Sequence, residues 1–244
     1  MKKIFLGVMI FAVVLSGAAM AAAIPDYVSK AVADPTRPKA DTDRDALRLP
    51  AETIAFAGVK PGMTVAELFP GGGYFTRTLS DVVGPAGKIF GIENAKWDDG
   101  SDKKVAAEPG HRNVSIQIVQ FGTFDLPEKV DVFWITQNYH DLHIAKYGNV
   151  DMAAFNKRVY DALKPGGIYF ILDHQANPGT TEAQIAVLHR IEKAQLIREV
   201  ETAGFKLVAE GDALHRASDD HTKPIFDKSV QGHTDQYMLK FRKV

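Results

Sequence analysis

Downstream of the Lys60-Pro61-Gly62 turn, short apolar runs alternate strictly with longer amphipathic stretches, and no other feature constrains the fold as much. Such alternation is the signature of parallel strands joined by helices, because each parallel neighbour needs a crossover that packs back onto the sheet. The strand candidates are Thr64–Phe69, Lys88–Ile92, Val114–Val119, Val130–Thr136, Gly167–Asp173, Phe205–Glu210 and Gln236–Phe241. Phe155, Val159, Ala162 and Leu163 recur at helical spacing, as do Leu196, Val200 and Ala203 before Gly204. Pro50 can open a helix that Gly58 ends, and Arg77–Val83 reads as another. No clean helical stripe separates the last two strand candidates, so an antiparallel pairing is expected there. The expected fold is α/β, a doubly wound, seven-stranded, mostly parallel sheet with an antiparallel last strand. Ligands of such sheets bind at the carboxyl ends of the strands.

The N-terminal segment reads as an address. Lys2 and Lys3 precede an apolar run from Ile4 to Leu15 that grades into small residues from Ser16 to Ala23. Positive start, apolar middle and Ala-x-Ala end are the three parts of a secretory signal peptide. The run is short of the roughly 20 residues a spanning helix needs, and no Cys follows it for a lipid anchor. The expected organisation is a signal peptide over 1–21 (Ala23 offers a later cut), an arm over 22–49 and one domain over 50–244. The mature protein would then be exported, periplasmic or secreted, with no stable membrane anchor. The arm reads as irregular, with Pro25, Pro35, Pro38 and the charge run Asp41-Thr42-Asp43-Arg44-Asp45.

Composition narrows the chemistry. The 244 residues include no cysteine, which removes disulfides, thiol nucleophiles and thiolate metal sites. A net charge of −1 lacks the basic surplus a nucleic-acid binder uses on phosphates. A small-molecule substrate is the expected partner.

At the strand ends, the first candidate runs into Pro70-Gly71-Gly72-Gly73-Tyr74, a glycine loop that lets backbone approach a ligand. The second ends at Glu93, about 20 residues past the loop, where an acid can accept hydrogen bonds from ribose hydroxyls. Each signal is weak alone; together they are a moderately specific nucleoside-binding signature.

With Leu163-Lys164-Pro165-Gly166-Gly167 ahead of the fifth strand, and Ala203-Gly204-Phe205 entering the sixth, these motifs resemble class I S-adenosylmethionine-dependent methyltransferases. The resemblance runs in order from about Ala51 to Phe241. Arg44-Asp45-x-x-Arg48-x-Pro50, Asn138-Tyr139-His140-Asp141 and Thr234-Asp235-Gln236 resemble, more narrowly, exported bacterial predicted methyltransferases. The resemblance implies a Rossmann-like methyltransferase fold with S-adenosylmethionine as cofactor. It implies Glu67, Gly71 and Gly73 around the methionine and ribose part, and Glu93 on the ribose hydroxyls. Phe69 stands where the family usually has glycine, so its ring must point away or narrow the pocket. Gly122 aligns with the family's adenine-side acid, leaving Asp125 as the nearest carboxylate.

The fourth strand leads into Tyr139-His140-Asp141-Leu142-His143 and the fifth into Asp173-His174-Gln175. Methyl transfer needs a deprotonated nucleophile in line with the sulfonium, so His140 is expected as general base, with Asp141 orienting it and Tyr139 and His174 beside it. The same edge offers His140, His143, Asp141, Asp173 and His174 to a divalent metal, but His-x-x-His lacks the helical spacing of zinc proteases, and no metal is expected. Arg190 and Arg216 either bind an anionic substrate or, the favoured expectation, pair with local acids; Arg37, Arg44 and Arg48 either close over the pocket or form surface pairs. The leading expectation is an exported enzyme that methylates a small molecule at oxygen or another heteroatom. The alternatives are a methyltransferase-like binding module that holds another ligand without catalysis, and a metal-dependent hydrolase on the same scaffold.

Overall fold

The computed structural model describes residues 23–244, so the signal-peptide expectation lies outside the described residues. In chain order the elements are α1 Asp26–Val32, α2 Lys39–Thr42, α3 Asp45–Arg48, α4 Pro50–Ala57, β1 Thr64–Leu68, α5 Tyr74–Val83, β2 Lys88–Asn94, α6 Ser101–Ala107, β3 Val114–Val119 and β4 Val130–Thr136. A 3₁₀ turn, His140–His143, follows, then α7 Met152–Ala162, β5 Leu163–His174, α8 Glu182–Leu188, α9 Lys193–Thr202, β6 Phe205–Gly211 and β7 Gln236–Lys243. Among the described residues no helix is long and apolar enough to cross a membrane.

All seven strand candidates form one sheet in the order β3-β2-β1-β4-β5-β7-β6. The first five run parallel, and β7 lies antiparallel between β5 and β6. Strand order reverses between β1 and β4, so a crevice opens at their carboxyl ends. Both faces of the sheet are covered. In β4, Phe133 and Ile135 pack on one face with Phe155, Val159, Leu196 and Val200 of α7 and α9. Val132 and Trp134 pack on the other with Ile54, Phe75 and Leu79 of α4 and α5. This two-sided burial makes the central strands continuous apolar runs rather than alternating ones.

Two local features differ from expectation. The Leu163–Gly167 turn joins β5, because Leu163 pairs with Val130 before the register shifts at Val132 and Gly166 takes a φ of +73°. The arm is helical rather than irregular, and its charges find distant partners. Arg37 forks onto Asp45 at 2.7 and 2.8 Å, and Asp41 accepts from both Arg44 and Arg77. Arg77 also donates to the Gly72 carbonyl at 2.9 Å, tying the arm to the glycine loop.

Candidate functional site

At the crevice, β1 delivers Glu67 and then Phe69, which takes a left-handed φ of +54° as the chain turns into the glycine loop. Gly73 caps α5 at φ +79°, and a Cβ there would lie 2.3 Å from Val105, so only glycine closes this turn. Two cavities of about 330 and 250 Å³ meet at a wall made of Phe69, Gly71, Gly72 and Asn138. A Cβ added at Gly71 or Gly72 would meet nothing within 4 Å. The larger cavity is bounded by Arg48, Glu67, Tyr74, His140, Asp141, His174 and His189, and closed by Ile225 and Phe226. The smaller holds Glu93, Trp97, Ser101 and Asp102.

The larger cavity carries opposed buried charges. Glu67 is buried, accepts from Thr76 Oγ1 at 2.7 Å, and is pushed up to about 7 by burial, against that hydrogen bond and the nearby charge of Arg48. Arg48 lies over the rings of Tyr74 and Phe75, 4.4 and 5.0 Å from their centroids. Burial pushes its guanidinium down to about 10, leaving it charged at neutral pH. Among the described residues it has neither a hydrogen-bonded acceptor nor an ion-pair partner, unlike Arg37, Arg44 and Arg77. Tyr74, which carries Arg48 on its face, is itself fixed by a 2.7 Å hydrogen bond to Asp45.

Glu67 also carries a stability cost. Its folded-state pKa, about 7, stands above the ordinary value of 4.5, so the folded state holds the extra proton between those limits and stability falls as pH rises through them. Glu67→Gln is therefore expected to raise stability by up to about 3 kcal/mol above pH 7 and by little below pH 4.5, read as melting temperature against pH.

In the smaller cavity, Glu93 accepts from the amides of Gly71 and Asn94 at 3.1 and 2.7 Å. Burial raises its pKa despite both bonds.

The histidine wall departs from the expected roles. His140 is buried, with Nδ1 2.7 Å from Asp173 and Nε2 3.3 Å from Asp141. Burial alone would lower its pKa, but the Asp173 charge and hydrogen bonds to both carboxylates push it up to about 10. Both ring nitrogens are thus engaged by carboxylates, so the expected general-base role would require the Asp141 contact to open. His174 is the opposite case, with burial and the neighbouring charges of His140 and Arg190 holding it well below the usual histidine range. Its Nδ1 lies 2.8 Å from Thr234 Oγ1, and it borders the same cavity.

Other sequence-based residues lie elsewhere. Tyr139 is fully buried away from the cavity, donating to Glu199 and accepting from Asn156, and burial raises its pKa far above the phenol range. His143 faces Glu182 and Glu199. Asp125 is exposed on the loop beyond β3 and borders neither cavity. The stacked rings of Phe69 and Phe121, 5.3 Å apart, stand at that end of the crevice. Gly122 has a packing reason, since a Cβ at its φ of +75° would lie 2.6 Å from Val150. Arg48, one of the arm arginines expected either to close over the pocket or to pair on the surface, lines this cavity, and His189 lines it with no spacing signal.

Solved structures share this architecture. An S-adenosylmethionine-dependent methyltransferase from Aquifex aeolicus is 18% identical, with a TM-score of 0.59 over 84% of this chain and 98% of that one. The [4+2]-cyclase SpnF is 17% identical, with a TM-score of 0.60 over 81% and 80%. Aeropyrum pernix fibrillarin, solved with natively bound S-adenosyl-L-methionine, is 18% identical, with a TM-score of 0.51 over 75% and 67%. No family model and no curated protein matches the chain. The chain therefore has the Rossmann-like fold of class I S-adenosylmethionine-dependent methyltransferases.

Proposed function

We propose that the protein is an S-adenosylmethionine-dependent methyltransferase acting on a small molecule. One observation carries this reading: an unpaired guanidinium and a buried carboxylate face one cavity, and a second carboxylate faces the cavity across the glycine loop. An α-amino-acid headgroup needs one cationic and one anionic partner, which Arg48 and Glu67 supply. A ribose diol needs an acceptor, which Glu93 supplies. The residues present thus fit this cofactor, which when bound supplies an electrophilic methyl group on a sulfonium. Gly71 and Gly72 leave the passage between the cavities free of side chain. Asp141, His140 and His189 line the side of the cavity that the acceptor heteroatom would face, with His174 beside them. The enzyme works outside the cytoplasm, a reading supported by the Lys2-Lys3 start and the apolar run after it; cell fractionation checks it.

Titration calorimetry with S-adenosylmethionine and S-adenosylhomocysteine is the test. Saturable binding of both is expected, and no heat up to millimolar ligand would overturn the reading. Glu93→Ala should weaken both ligands 10- to 100-fold, as loss of hydrogen bonds to a charged acceptor costs about 1.5–3 kcal/mol. Affinity should also fall as pH drops below about 7. A cation favours ionised Glu67, so binding from its protonated form must release a proton. The other groups facing Glu67 are Thr76, Arg48 and Glu93. The Phe69–Phe121 stack narrows the adenine side and favours the second reading, a binding module. Binding of a different nucleoside with no turnover would select it.

A further inference from the structure

We propose that His140 Nε2, Asp141 and His189 Nδ1 form a binding site for one divalent transition-metal ion of the zinc type, in the wall of the larger cavity. Their donor atoms all lie within 4.8 Å of one another. Asp141 Oδ1 is 3.3 Å from His140 Nε2 and 3.1 Å from His189 Nδ1. Ligands at 2.0–2.1 Å from a tetrahedral ion stand about 3.3–3.4 Å apart, so an ion fits with small shifts of three side chains.

What stands behind the donors is also that of a metal site. His140 presents Nε2 because its Nδ1 is engaged by Asp173, and metal-bound histidines commonly donate their other N–H to a carboxylate. Asp173 is held in turn by the backbone amides of His140 and His174, at 2.8 and 2.7 Å. Asn138 holds the second oxygen of Asp141 at 2.9 Å. His189 is presented from a left-handed residue at the end of α8, φ +54°, with its ring against Phe226. The charge count agrees. A metal at Nε2 displaces the proton held there, so two buried carboxylates then stand against two neutral histidines, a deficit that one divalent cation cancels. Three protein ligands leave a fourth position toward the cavity, the open arrangement of catalytic rather than structural zinc, where a water or an acceptor hydroxyl would be acidified. His143, adjacent in sequence, is not part of the set, because it points to Glu182 and Glu199.

The inference goes beyond methyl transfer and stands without it. Its test is calorimetric titration of Zn²⁺ alone into the untagged, chelator-treated full chain, with no nucleoside present. One ion per chain is expected, with Co²⁺ giving the intense visible bands of a low-coordinate site. His189→Asn keeps a residue type that tolerates the left-handed backbone and should lower affinity at least tenfold with an unchanged melting temperature. Asp173→Asn should lower it about 10- to 100-fold. His143→Ala should leave it unchanged. No saturable uptake at about 100 µM Zn²⁺ would overturn the proposal, as would a folded His189→Asn that binds like the parent.

Discussion

Arg190→Met is expected to destabilise the fold by about 3–5 kcal/mol, the cost of leaving a buried carboxylate without its cation. Arg190 and Asp219 are 0% and 1% exposed at the side chain, with Nη1 2.8 Å from the carboxylate. The guanidinium also donates to the carbonyls of Lys223 and Gln175, at 2.9 and 3.1 Å. Asp219 accepts from the amides of Asp235 and His221. Arg190 thus ties the connection between α8 and α9, and through Gln175 the end of β5, to the long segment between β6 and β7, the segment that brings Ile225 and Phe226 over the larger cavity. Chemical denaturation measures the loss, and less than about 1 kcal/mol would show the pair to be dispensable. Arg190→Met with Asp219→Leu should recover most of it, since a well-packed apolar pair of similar size often matches a buried ion pair. Arg190→Lys should not, because a lysine cannot span the three directions the fork reaches.

Arg190 was expected to pair with local acids, and its partner Asp219 stands 29 residues away. The strands were legible because burial on both sheet faces leaves apolar runs, and the glycine loop because a strand must turn sharply into α5. His140, Asp141 and His174 were placed at the site because strand ends converge there whatever the side-chain contacts. Their roles were not legible. His140 is tied at Nδ1 to Asp173, 33 residues away on the neighbouring strand, a contact that spacing does not announce. His189 reaches Asp141 across 48 residues from the end of a helix, where spacing carries no signal. Its one local mark is a left-handed conformation more usual for glycine or asparagine. The arm misled because proline and charge density look the same in an irregular strap and in short helices fixed by ion pairs. Asp125 was assigned by alignment to a family pattern, and the chain turns outward before reaching it.

The fold itself leaves the reaction open, since a [4+2]-cyclase shares it. What distinguishes one occupant from another is the set of charges facing the cavities.

Among those charges Arg48 is the most exposed to test. Arg48→Met should weaken S-adenosylmethionine and S-adenosylhomocysteine by about 10- to 150-fold, the 1.5–3 kcal/mol of a hydrogen bond to a charged group. The two ligands differ in charge at sulfur and share the amino-acid headgroup, so equal losses locate the contact at the carboxylate. Methylthioadenosine, which lacks that headgroup, should bind Arg48→Met as it binds the parent. A methionine keeps the apolar stem against Tyr74 and Phe75 and removes a guanidinium that burial already penalises, so the fold should lose little. Arg48→Lys should recover only part of the affinity, because a point charge cannot grip a carboxylate with two parallel bonds. If all three ligands weaken alike, Arg48 shapes the arm rather than the ligand site, and the headgroup must be held elsewhere. If only the headgroup-bearing pair weakens, the arm completes the cofactor site, and the Arg37–Asp45, Arg44–Asp41 and Arg77–Asp41 ion pairs are what hold Arg48 in reach.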